Sequence, residues 1–196
     1  MLRYLVRYTE LAQGHIEWYQ EDQKGDASTA VGLSIDGLTR ATVDEGKLQL
    51  LGLMAKRGAS WPTSVLLSCF APGSFMPSSL YQRFVDDSEW QVLAKAVELV
   101  LAVVESFDPL WVNFKAANAG SVALDQNRPH ISVGWLTYIR NQALRETSIR
   151  EAFDVVQLAN GIIVVSEKKW PNTRDRISRV AESVRTVINP ISEWDA

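Results

Sequence analysis

The dipeptide Asn160-Gly161 stands between two apolar runs, "FDVVQL" and "IIVVS". Both residues tolerate positive φ, so the pair predicts a tight hairpin whose flanking segments are antiparallel neighbours. Any fold for this chain must contain that ladder, and other segments extend it. "KLQLLGLMAKRG" (47–58) reads as a strand and "TSVLLSCFA" (63–71) as a fully buried one. "GASWP" turns between them, giving a second antiparallel hairpin. "PGSFMPSS" (72–79) reads as a loop. "LWVNFKA" (110–116) alternates, with Leu110, Val112 and Phe114 on one face and Trp111, Asn113 and Lys115 on the other. A further strand is expected over about 131–139.

Helical spacing appears three times. Tyr4, Tyr8, Leu11, His15 and Trp18 recur at helix intervals, and predict a helix over 2–20. Leu93, Val97, Val100, Leu101 and Val104 form a stripe over 89–107, with Ser88 and Gln91 placed as a capping box and Asp108-Pro109 as the stop. Ile177, Val180, Ala181, Val184 and Ile188 line a last helix over 173–188, capped by Asn172 and stopped by Asn189-Pro190. With 196 residues, no repeat and no linker, the expectation is one α+β domain over 1–196. Its antiparallel sheet has about five to six strands and packs against two or three long helices.

The chemistry expected of an enzyme is missing from the sequence. His15 and His130 have no second His, Cys or carboxylate at ligand spacing, so no metal or other cofactor is expected. Cys69, the one cysteine, sits in an apolar strand and reads as an inert buried thiol. There is no G-x-S-x-G, G-x-G-x-x-G or P-loop. Asp44-Glu45 and Asp86-Asp87 read as solvated acids near element ends, and Arg174, Arg176, Arg179 and Arg185 as the solvent face of the last helix. The net charge of −3 excludes a global basic field for nucleic acid. The N-terminus has no signal-peptide core, and no apolar run nears the ~20 residues that span a bilayer, so a cytoplasmic location is expected.

What remains is an aromatic surplus of seven tryptophans. Trp61 and Trp170, each before a proline, read as lids over a core. Trp135 shares its strand face with Ile131, Val133, Thr137 and Ile139, and reads as core. Gly134 beside it marks a bulge or a close approach, by the 89–107 helix or by Trp111.

The order of "HIEWYQ", "ASWP", "FDPLWVNF", "ISVGWLTYI" and "NGIIVV" resembles the immunity protein 52 family of bacterial polymorphic toxin systems, over about residues 2–188. "VGWLTYI" and the preceding "DPLW" are the most specific pieces; Trp111, Gly134 and Trp135 fall on the family's tryptophan and Gly-Trp positions. Members often begin with a short aromatic strand, whereas this chain starts at the helix.

The resemblance implies a non-catalytic protein that neutralises a co-encoded toxin. That toxin is typically a restriction-endonuclease-like nuclease, often delivered by type VI secretion. Carboxylates can block a basic nuclease groove. The candidate contacts are Asp86, Asp87 and Glu89 beside the helix start, and Asp125 before the Gly-Trp strand. Two other readings compete: a small hydrolase with an acid site from Asp86, Asp87 and His130, and a scaffold that binds a peptide along a sheet edge.

Overall fold

A computed structural model describes residues 1–12, 14–21, 27–34, 43–45, 48–70, 79–84, 88–115, 121–125, 128–141, 144, 149–170 and 173–188. The fold is α+β with antiparallel sheets, as expected. The chain groups into two compact units, Met1–Glu89 and Trp90–Ala196.

In the first unit, helix α1 spans Leu2–Leu11. Tyr4, Leu5 and Tyr8 recur along one stripe of it and are fully buried. The expected helix to residue 20 is cut short. Gly14 adopts φ +83°, outside the helical region, and Glu17–Glu21 becomes strand β1. Trp18 therefore reaches the core from a strand, where its ring meets Tyr8 edge-on at 5.5 Å and its indole N–H donates to Thr9 Oγ1 at 3.1 Å.

The sheet continues with β2 (Ala27–Val31), β3 (Val43–Glu45), β4 (Leu48–Arg57), β5 (Ser60–Phe70) and β6 (Ser79–Phe84). Its order is β2-β1-β4-β5-β6, with β3 beside β4. The expected β4–β5 hairpin is present, but its turn is tighter than "GASWP": Arg57 already pairs with Ser60. Gly58 supplies the positive φ there, and Pro62 is a buried strand residue.

A 3-10 turn at Ser88–Gln91 spans the boundary between the units and leads into helix α2, Leu93–Phe107, of the second. The helix starts later than expected: Ser88 opens the 3-10 turn, and Val92 occupies the N-cap without a side-chain bond. The helix ends at Asp108 as expected, in a left-handed conformation at φ 45°. Strands β7 (Trp111–Phe114), β8 (Val122–Asp125), β9 (Arg128–Val133), β10 (Leu136–Ile139), β11 (Asp154–Gln157) and β12 (Ile162–Val165) follow, then helix α3, Arg174–Val187. Thr173 caps α3, accepting from the Arg176 N–H at 3.4 Å; Asn172, the residue expected in that role, lies outside the described residues.

The central sheet runs β11-β12-β10-β7, and β8–β9 form a separate ribbon. Strands β10 and β12 are buried on both faces, which explains the unbroken apolar run "IIVV" and the mostly apolar "LTYI". Ile163, Val165, Leu136 and Tyr138 cluster with Ala96 and Val100 of α2. Ile139, Ile162 and Val164 cluster instead with Ile177, Val180, Ala181 and Val184 of α3 and with the ribbon's Ile131 and Val133. Each fully buried Ile or Val in α3 contributes about 1.5–3 kcal/mol, so the apolar stripe and not intrinsic propensity holds that helix.

The expected strand over 131–139 is two strands in two sheets, broken at Gly134-Trp135. Every backbone polar group at the break is satisfied. Gly134 N donates to Thr137 Oγ1 at 3.0 Å, and Ser166 Oγ donates to Gly134 O at 2.7 Å. Trp135 N donates to Phe114 O, and Ser166 N to Trp135 O, both at 2.9 Å. A Cβ at Gly134 would lie 2.0 Å from Asn113 Oδ1 and 2.7 Å from Phe114 O. The close approach predicted at this glycine is therefore real, but it is made by Asn113 and the β7 backbone, not by α2 or Trp111.

The β11–β12 hairpin also forms, for a different reason from the one its sequence suggests. Neither Asn160 nor Gly161 has positive φ. Gly161 is required because a Cβ there would sit 2.1 Å from Ile139 O.

Candidate protein-binding surface

The sheet of the first unit has two unlike faces. On the inner face, Trp18, Leu53, Ala55, Thr63 and Val65 are buried. Helix α1 bonds to this side: the Tyr4 hydroxyl donates to Gln82 Oε1. Burial, with Tyr8 alongside, holds that hydroxyl well above the ordinary tyrosine range, so it stays a donor. Gln82 Nε2 donates on to Thr63 Oγ1 at 3.1 Å, and Thr63 donates to Arg83 O at 2.7 Å. This chain of bonds pins Gln82 inward. Because strand side chains alternate, it sends Tyr81 and Arg83 outward.

On the outer face, strand register sets Gly52, Leu66 and Tyr81 in one row, and Tyr19, Met54, Ser64 and Arg83 in the next. Leu66 and Tyr81 are directly paired and remain 39% and 62% exposed. Lys56 Nζ lies over the Tyr19 ring at 5.4 Å, a cation–π arrangement. An aromatic–aliphatic pair flanked by basic side chains is the composition of an interface centre, where Tyr and Arg are enriched.

The expected site residues fall in different places. Asp86 and Asp87 lie outside the described residues, immediately after β6 in the chain. Asp125 ends β8, where its backbone pairs with Arg128; its side chain and that of His130 lie outside the description. Cys69 pairs with Gln49 across β4–β5, and its thiol also lies outside it.

Glu89 is described, and its surroundings differ from those expected of a contact residue. Its carboxylate is nearly buried and accepts from Arg57 Nη2 at 2.6 Å. Glu89→Gln removes the charge that satisfies a partly buried guanidinium, so a loss of about 1–3 kcal/mol is expected from the urea midpoint.

Gly134 and Trp135 sit together at the break, whereas Trp111 lies at the other end of the β7–β10 pairing, opposite Ile139, and packs in the other core cluster. Trp111 Nε1 donates to Ser132 O at 3.0 Å. Trp135 is fully buried, its N–H donating to Glu167 O at 2.7 Å. Trp170 lies 4.7 Å from Trp135 and acts as the lid expected of it. Two of the four arginines read as solvent-facing are instead clamps. Arg176 donates to Ser166 O, and Arg185 to Leu124 O and Ala123 O.

Among the described residues, no group of three or more His, Cys, Asp or Glu gathers where it could hold a metal ion. None of the helices there is long and apolar enough to cross a membrane.

Sequence reasoning missed Tyr81, Leu66 and Arg83. The loop expected over 72–79 leaves no strand predicted at 79–84, and Leu66 falls in the run expected to be fully buried. The signal was present in "SLYQRF", where Leu80, Gln82 and Phe84 alternate with Tyr81 and Arg83. No protein-family model matches the sequence, and no curated protein matches it.

Proposed function

We propose that this chain is a cytoplasmic immunity protein that neutralises a co-encoded toxin, a nuclease effector of a polymorphic toxin system, by stoichiometric binding. The observation that carries the binding role is the exposed Leu66–Tyr81 pair on the outer face of a sheet whose other face is bonded to α1. A large aromatic held in the open by a pinned strand is suited to fill a partner's pocket. The "VGWLTYI" and "DPLW" segments support the choice of family. Asp86, Asp87 and Asp125 are the proposed contacts to the basic groove of the nuclease. Glu89, engaged by Arg57, is assigned to the fold instead.

Co-expression tests the reading. Cells producing the product of the adjacent gene survive when this chain is present and die when it is not; death in both cases removes the proposal. Tyr81→Ser is expected to weaken the complex about tenfold or more, as loss of an interface tyrosine does. The same substitution leaves stability within about 0.5 kcal/mol, because the side chain is on the surface. Isothermal titration and a urea melt on the same preparation separate the two effects.

A further inference from the structure

Strand β6 ends its sheet, and among the described residues no strand pairs with its outer edge. Half of its backbone N–H and C=O groups therefore point away from β5, a row of donors and acceptors that an extended chain can meet. The two ends of an exposed strand are often free to slip, but this one is registered. Ser79 through Phe84 pair one to one with Ser68 through Thr63. The Tyr4–Gln82–Thr63 bonds then fix which side faces out.

The outward side chains have a definite chemistry. Tyr81 and Arg83 stand two residues apart on one face, with Leu66 beside Tyr81 and Ser64 beside Arg83. The Arg83 guanidinium is exposed and makes no ion pair or hydrogen bond among the described residues. An unpaired cation on an edge strand discourages indiscriminate pairing, and so selects the partner able to neutralise it.

We infer that β6 is a docking strand. It takes an extended segment of a partner protein as one more antiparallel strand, with an apolar side chain beside Tyr81 and, two residues along, a carboxylate against Arg83. The spacing follows from the period of two along both strands. A second copy of this chain is the wrong occupant, because its own edge, "SLYQRF", offers no carboxylate. The inference rests on the binding role proposed above and adds to it the mode of contact and the chemistry of the segment bound. Main-chain pairing supplies the affinity and the two side-chain positions supply the choice of partner.

The test uses the full chain, isotope-labelled, and two synthetic peptides as long as β6: Thr-Val-Thr-Asp-Thr-Val and the same peptide with Lys for Asp. The acidic peptide is expected to shift the backbone amide resonances of Leu80 to Phe84. The lysine peptide binds about fivefold more weakly or worse, the upper range for one exposed ion pair. Arg83→Glu reverses that order, and Tyr81→Ser weakens both peptides. No shift at β6 with either peptide, or equal binding of the two, overturns the docking strand.

Co-purification of Arg83→Glu with the adjacent gene's product separates the two levels. If that complex survives unchanged while the wild-type chain also binds, the binding role stands and β6 as its site falls. If the peptides bind as described and the gene product does not, the docking strand stands and the immunity role falls.

Discussion

Trp135→Ala lowers the stability of the Trp90–Ala196 unit by about 3–5 kcal/mol, the cost of deleting a core aromatic. The indole is fully buried, and three things depend on it. Its ring fills the space between Phe114, at 6.0 Å, and Trp170, at 4.7 Å. Its N–H satisfies the Glu167 carbonyl, which would otherwise lose a partner near the lid. Its placement follows from the Gly134 break, where Thr137 and Ser166 meet the backbone groups that the interrupted ladder leaves over. Trp135→Phe should recover part of the loss by restoring ring volume without the N–H bond. Urea unfolding measures both variants. A midpoint unchanged in Trp135→Ala would mean that the ring contributes nothing to the core.

Gly161→Ala is expected to cost about 3 kcal/mol, at the upper end for overpacking. What decides the size is the identity of the atoms in the way. An added Cβ meets Ile139 O at 2.1 Å and Arg140 Cα at 3.0 Å, which are backbone atoms of β10 and its exit. Neither can swing aside as a side chain does, so the β11–β12 hairpin must lift from β10 and loosen the pairing of Ile162 with Ile139. At Gly134 the nearest obstacle is the Asn113 side chain, and the Phe114 carbonyl behind it is farther off at 2.7 Å. Gly134→Ala should accordingly be the milder of the two. Equal stability of Gly161→Ala and the wild-type chain would contradict the close approach.

The parts of this fold that could be read from sequence are those where one physical cause acts alone. Helix α3 shows its face because Ile177, Val180, Ala181 and Val184 are buried and its other positions are largely polar. The β11–β12 hairpin was legible from Asn160-Gly161, although the glycine serves an approach from β10 that no local pattern announces. At the N-terminus two causes overlap. Tyr4, Tyr8 and Trp18 do share one core, so their spacing looks helical; yet Trp18 arrives from a strand after Gly14 has turned the chain. Around Ser88 the sequence satisfies the capping box, but the segment forms a 3-10 turn and Trp90 is buried, so α2 starts at Leu93.

The candidate surface was the least legible. Tyr81 and Leu66 are as apolar as their buried neighbours, and only the register of β5 on β6 and the Tyr4–Gln82 bond assign them to the open side. Conversely, Glu89 looked like a free acid until Arg57, thirty-two residues away, proved to hold it.

The most direct measurement is size-exclusion chromatography with light scattering on this chain mixed with the purified, catalytically inactivated product of the adjacent gene. A stable complex of defined stoichiometry, lost or weakened in Tyr81→Ser while that variant still melts like the wild-type chain, is the predicted result. Separate elution of the two proteins at micromolar concentration, together with no protection of cells expressing the active product, would contradict the binding role.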